Sequence, residues 1–240
     1  KNIDAEVGIL ASYGAIIPKG VIDHFPNGIL NMHPSLLPAW RGASPIQATI
    51  VAGNQTTGIT TIKLDEKLDH GPSINQFKED ILPDDTTESL RTRLFARSAE
   101  VLKTLLPAYL KGKITPRPQE HSKSTFTKLI KKDDAFIPPK YLQMALGGKS
   151  AKEKWEIGFI KDFSAIPTPE ILERFIRAMQ PWPVAWSTIR IAGGKDTKRL
   201  KILKAHIEEG RLIPDEVQLE GKSPVSYKQF IEAYPEAKFE

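Results

Sequence analysis

Two short apolar runs, each stopped by a residue that does not continue a strand, constrain this chain more than any other feature. Val7-Gly-Ile-Leu-Ala-Ser-Tyr13 ends at Gly14, and Gly28-Ile-Leu-Asn-Met-His33 ends at Pro34. Short runs that are apolar throughout read as buried parallel strands, because a strand covered on both faces has no polar side to alternate with. Parallel strands need a crossover, and Pro18 to Phe25 offers the length for a short helix between them. The pair predicts a strand-helix-strand unit of the α/β class.

Downstream, Ser44 before Pro45 places a capping hydroxyl ahead of a helix running to about Ala52. Thr57 to Leu64 and Ser73 to Lys78 read as partner strands across the Asp69-His70-Gly71 turn. After Thr86, a stripe of Leu90, Leu94, Val101, Leu102, Leu105 and Leu106 predicts a long amphipathic helix that Pro107 should kink or end. Lys111 to Lys123 is rich in proline and charge and lacks periodicity, so it reads as a linker. This puts a domain boundary near residue 120, with domains 1–120 and 121–240. In the second, Thr168-Pro169 opens a helix that ends before Pro181, with Trp182 and Trp186 beyond it expected to pack in the core. Trp182 to Ile191 and Arg199 to Ile207 read as strands joined at Gly193-Gly194, and Ser226 to Gln229 has capping-box spacing. These elements suggest a small, OB-like β-barrel domain. Residues 133–167 read as an insert at the junction. A Rossmann-like sheet would hold about three more strands before Val7, so the first domain is expected to be N-terminally incomplete.

Composition narrows the chemistry. With no cysteine, disulfides, thiolate metal sites and thiol nucleophiles are excluded, leaving oxygen and imidazole groups. No run of eighteen or more apolar residues occurs, and acids stand near the N-terminus where a signal peptide would be apolar. A soluble intracellular protein, monomeric and away from membranes, is expected. Lys and Arg number 13 against 13 Asp and Glu up to residue 120, and 21 against 16 beyond it. All the excess positive charge thus lies in the second half, as a surface facing nucleic acid requires, although a merely solvated Lys-rich surface has the same composition.

Asn31 and His33 alternate with Leu30 and Met32, so period-two geometry sends both polar side chains to one face at the strand's carboxyl end. Open α/β sheets bind ligands there. Asp69 lies at a later turn and converges with them if the strands are neighbours. Together they suit acyl transfer to an amine. The Asn31 amide and His33 ring can stabilise an oxyanion, and Asp69 can accept the amine's proton and favour a protonated imidazolium. Taken singly, a histidine after a strand, an aspartate before glycine and an asparagine at a strand end are ordinary structural residues. A metal set of Asn31, His33, Asp69 and His70 is disfavoured because asparagine is a poor ligand, and no metal is expected. No Gly-x-Ser-x-Gly elbow, Walker loop or Gly-x-Gly-x-x-Gly occurs.

Three blocks carry a resemblance: Asn31-Met-His-Pro-Ser-Leu-Leu-Pro38, Trp40-Arg-Gly-Ala-Ser-Pro-Ile-Gln47 and Leu64-Asp-Glu-Lys-Leu-Asp-His-Gly71. They resemble the folate-dependent formyltransferases. The resemblance implies that Asn31, His33 and Asp69 are the catalytic trio, that Ser35, Leu36, Leu37 and Pro38 hold the folate, and that 10-formyltetrahydrofolate is the donor. The Trp40 to Gln47 block is similar to the tRNA-directed branch, which formylates the α-amino group of methionyl initiator tRNA. Leu172 to Trp186 is similar to the helix-to-strand junction that opens that branch's tRNA-gripping barrel. Formylation of a small amine, an amino sugar or nucleotide precursor, and a noncatalytic tRNA- or folate-binding module are the competing readings. The family works in the bacterial cytoplasm and the mitochondrial matrix.

Overall fold

The computed structural model describes residues 4–191 and 197–240. The chain divides into two compact units. The first comprises residues 1–49, 54–83 and 89–129, and the second 50–53, 84–88 and 130–240. The chain passes for the last time from the first unit to the second between Leu129 and Ile130, and the Pro-rich stretch 111–123 lies wholly in the first unit.

The first unit is built on β1 (Gly8–Ala11), a short helix α1 (Lys19–Ile22) and β2 (Ile29–His33), with β1 and β2 parallel. A two-residue strand β3 (Arg41–Gly42), helix α2 (Pro45–Val51), β4 (Thr56–Lys63) and β5 (Ser73–Asp80) follow. The sheet order is β1-β2-β4-β5, and both β2–β4 and β4–β5 are antiparallel. The α/β reading stands, with one correction. β2 is buried along its whole length, but β1 alternates half-buried and exposed residues because it lies at the sheet's edge, with Ile9 open to solvent.

Burial on both faces explains the composition of β4. Ile59 and Ile62 fill the core, and the buried hydroxyl of Thr60 donates to Ser35 O at 2.7 Å while accepting from Leu37 N and from Gln76 Nε2. One side chain therefore anchors the loop that leaves β2.

Helix α3 (Thr87–Leu110) covers the sheet, packing Leu105 with Leu30 and Ile74, and Val101, Leu102 and Leu106 close around them. It continues past Pro107 to Leu110, so the expected early end does not occur. Pro107 gives up only the bond that an N–H would make to the carbonyl four residues earlier, and the last turn still closes through Lys111 N to Pro107 O at 3.2 Å. The Ser44 hydroxyl, expected as a cap, donates to Lys128 O at 2.8 Å. Lys128 follows β6 (Phe126–Thr127), which pairs in parallel with β3.

The second unit holds α4 (Pro139–Leu146), the paired strands β7 (Trp155–Glu156) and β8 (Ser164–Ala165), and α5 (Pro169–Ala178). Its main sheet contains β9 (Trp186–Arg190), β10 (Thr197–Glu208), β11 (Arg211–Leu219), β12 (Val225–Ser226) and β13 (Lys238–Phe239), with helix α6 (Tyr227–Ala233) between the last two. All five strands pair antiparallel in the order β12-β11-β10-β9-β13. A small β domain therefore follows the α/β domain. Thr168 accepts from Ile171 N and caps α5, and Ser226 makes the expected capping box for α6.

One expectation is corrected here. Trp182 is 53% exposed and lies before β9 rather than in it or in the core, because Pro181, Pro183 and the left-handed Val184 (φ 70) keep that stretch out of the ladder. On α5, Arg174 Nε donates to Val51 O, and Arg177 binds Glu173 and Asp85 O. Within residues 133–167, Tyr141, Trp155, Ile157 and Phe159 are buried, and Trp155 packs between Tyr141 and Phe175 of α5. The expected Gly193-Gly194 turn lies outside the described residues.

Candidate active site

β2 ends where Pro34 removes a ladder donor, so His33 is its last residue and Asn31 shares its face. Both are buried, at 4% and 8% exposure. Asp69 comes from the turn between β4 and β5, in a left-handed conformation (φ 44). The three meet: Asn31 Nδ2 lies 3.4 Å from Asp69 Oδ1, and His33 Nδ1 lies 3.6 Å from the same oxygen. The other carboxylate oxygen, Oδ2, accepts from Gly42 N at 2.7 Å. Only glycine serves at Gly42. Its φ is 106, and a Cβ would collide with the carbonyl oxygen of Thr127.

The His33 tautomer follows from its second nitrogen. Nε2 lies 2.9 Å from Trp40 O, and a carbonyl only accepts, so Nε2 carries a hydrogen. Burial holds the ring's pKa below its usual value; Asp69 and the Trp40 carbonyl oppose this, and Arg41 adds to it. His33 is thus neutral, with a lone pair on Nδ1. Burial thus works against the imidazolium that Asp69 favours. Trp40 can present its carbonyl to the ring because it too is left-handed (φ 59), with its N–H held by Thr125 Oγ1 at 2.8 Å.

These groups open onto a cavity of about 320 Å³ within the first unit. Leu10, Tyr13, Ile16, Ile17 and Met32 give it apolar walls, and Asn31, His33 and Asp69 supply polar groups. Ser35, Leu36, Leu37 and Pro38 do not line it. Ser35 Oγ donates to Ala39 O at 2.6 Å, Leu37 turns into the core, and only Pro34 of that loop reaches the wall.

Around this centre lies a set of residues that sequence reasoning missed. Buried Arg41 donates from Nη2 to Gln119 Oε1 at 2.7 Å and to His121 Nδ1 at 2.8 Å. The pKa of His121 is lowered by burial, then by His70 and Arg41. The His70 ring stacks on that of His121 at 3.9 Å and bonds Asp65 Oδ2 at 2.6 Å. Stacked rings whose Nδ1 atoms are already engaged do not converge on an ion. Among the described residues no group of three or more His, Cys, Asp or Glu side chains could hold a metal. Nor, among them, is any helix long and apolar enough to cross a membrane. Arg41 stood inside the Trp40 to Gln47 block, but a lone amide at Gln119 in an aperiodic stretch carried no signal.

The α/β sheet of the first unit thus gathers an amide, an imidazole and a carboxylate beside an apolar cavity. Residues 1–106 match the formyl transferase family. The chain is similar to methionyl-tRNA formyltransferases. That of Chloroflexus aurantiacus is 35% identical over 217 residues, covering 90% of this chain and 60% of the relative. That of Buchnera aphidicola subsp. Schizaphis graminum is 38% identical over 185 residues, covering 77% and 51%. The chain thus spans between 51% and 60% of the length of these two relatives. Among solved structures, methionyl-tRNA formyltransferase from Clostridium thermocellum shares the fold with a TM-score of 0.57 at 24% identity, covering 89% of this chain and 77% of that one. HypX from Aquifex aeolicus, solved with tetrahydrofolic acid, has a TM-score of 0.65 at 14% identity, covering 96% and 39%.

Proposed function

We propose that the protein transfers a formyl group from 10-formyltetrahydrofolate to the α-amino group of methionyl initiator tRNA, with Asn31, His33 and Asp69 as its catalytic residues. The observation that carries this reading is the meeting of Asn31 Nδ2, His33 Nδ1 and Asp69 Oδ1 within 3.4 to 3.6 Å beside an apolar cavity. The similarity to methionyl-tRNA formyltransferases supports the choice of acceptor.

The cavity fits a flat heteroaromatic carrier: apolar walls take the ring and the polar groups are gathered by Asn31, His33 and Asp69. The folate supplies a formyl carbonyl. Toward it, Tyr13, Ile16 and Met32 present apolar surface, and the second N–H of Asn31 can donate to the oxygen on which charge develops. His33 Nδ1, held as a lone pair by the Trp40 carbonyl, accepts the proton that the attacking amine loses. The imidazolium so formed faces Asp69 Oδ1 and is steadied by it, and it can then return the proton to the leaving nitrogen. Ser35 to Pro38 act on the folate by fixing Pro34 and His33 through Thr60. The first unit carries this chemistry, and the more basic C-terminal half takes the tRNA.

Formate incorporation into charged initiator tRNA by the complete protein tests the reading. His33→Ala and Asp69→Asn should each lower turnover by about 10²- to 10⁴-fold. Wild-type turnover in either variant would overturn the mechanism, and formylation of an amino sugar without tRNA would overturn the acceptor.

A further inference from the structure

We propose that Gln119 is a positioning residue that holds the Asp69 carboxylate against Asn31 and His33, an inference that rests on the catalytic reading of those three groups. Gln119 is 8% exposed and its amide is fully used. Nε2 donates to Asp69 O at 2.9 Å and to Gly71 O at 2.7 Å, while Oε1 accepts from Arg41 Nη2 at 2.7 Å. These contacts grip both segments that set the carboxylate. One is the turn bearing Asp69 itself. The other is Arg41-Gly42, whose Gly42 N–H holds Asp69 Oδ2.

Such a grip is needed because Asp69 is left-handed, a conformation that costs an L-residue with a Cβ some energy and persists only where its surroundings impose it. A primary amide suits the position, since it offers two donors toward the turn and an acceptor toward a cation. A carboxylate there would face two carbonyl oxygens with no hydrogen. Gln119 is itself fixed by a reciprocal backbone pair, Arg117 N to Ser73 O and Ser73 N to Arg117 O, each 2.8 Å. The stretch 117–127 thus works as a strap. Arg117 bonds β5, Gln119 bonds the Asp69 turn, and Thr125 bonds the Trp40 that orients His33.

The test follows the His33 ring by ¹⁵N NMR in the complete protein, with the signal assigned by its loss in His33→Ala. The charged groups facing this ring are Asp69 and Arg41, and the Asp69 carboxylate is what holds its titration up against burial. If Gln119 places that carboxylate, Gln119→Ala moves the His33 midpoint downward, in the direction that Asp69→Asn moves it. Gln119→Met, which keeps the volume and removes the hydrogen bonds, does the same and serves if the alanine variant fails to fold. Formyl transfer should fall in kcat by about tenfold to a hundredfold, with KM for the folate within about twofold. An unchanged His33 titration in a folded variant overturns the positioning role. A shifted titration with unchanged kcat upholds the positioning and overturns the catalytic assignment, so the two ideas fail separately.

Discussion

At the scale of single residues, burial holds the His33 pKa below its usual value although a carboxylate oxygen lies 3.6 Å from its Nδ1. This has a thermodynamic consequence. The folded-state pKa lies below the ordinary 6.5, so as pH falls below that value the unfolded chain binds a proton that the folded chain refuses. Stability that is present above about 6.5 is therefore lost as pH drops toward the folded-state pKa, by at most about 1.4 kcal/mol per pH unit from this group. Urea unfolding at pH 7.5 and 5.5 checks it: His33→Gln should lose less stability between the two than the wild type. Equal losses would mean that the ring is protonated in the folded protein. The sequence reading had placed Asn31 and His33 on one face and Asp69 near them, because strand periodicity and a turn are local properties. It missed the protonation state, which depends on burial and on Trp40, and it missed Gln119 and Arg41, whose partners lie 78 residues apart in the chain.

At the scale of elements, what could be read from the chain was whatever repeats or caps. The β1-α1-β2 unit, the β4–β5 pair, α5 behind Thr168-Pro169 and α6 behind Ser226 each carry a period or an end signal that is complete within a few residues. Residues 111–128 carry neither and are held by long-range contacts instead, and in residues 133–167 only α4, with Pro139 in its first turn, carries such a signal. The two tryptophans of the second unit separate these cases. Trp155, from the stretch without periodicity, is 9% exposed and tilts against Phe175 with ring centroids 4.7 Å apart. Trp182, from the stretch read as a strand, is 53% exposed. Trp155→Ala should therefore cost about 3–5 kcal/mol by loss of apolar contact and creation of a cavity. Trp182→Ala should stay within about 0.5 kcal/mol. Equilibrium urea unfolding followed by circular dichroism measures both. Similar costs for the two would show that the core of the second unit does not run through residues 133–167.

At the scale of the whole molecule, net charge does not divide as the proposed labour does: residues 121–240 carry 21 basic against 16 acidic side chains, but the second unit, which includes residues 84–88, carries 19 of each. A tRNA surface on the second unit therefore rests on local patches of its five-stranded sheet and not on net charge. On β10 the bulge beyond Ile202 leaves Lys204 exposed, and Lys201 stands half-buried opposite Trp186, over whose ring the Arg199 guanidinium lies at 4.1 Å. Acidic Glu216 and Glu220 on or beside β11 temper the patch, so its affinity for a polyanion should be modest and sensitive to salt. If phosphates displace counterions here, the logarithm of the tRNA association constant falls linearly with the logarithm of salt concentration. Each lysine that contacts a phosphate contributes roughly 0.7 to 0.9 to that slope. Lys201→Ala with Lys204→Ala in the complete protein should then lower the slope by about 1.5 and weaken initiator and noninitiator tRNAs alike, since phosphate contacts carry no sequence information. The His33 titration should not move, because neither lysine is among the groups that act on that ring. Filter binding across a salt series reads the slope directly. An unchanged slope would remove β10 from the tRNA surface, and a loss confined to the initiator would mean that these lysines read identity rather than charge.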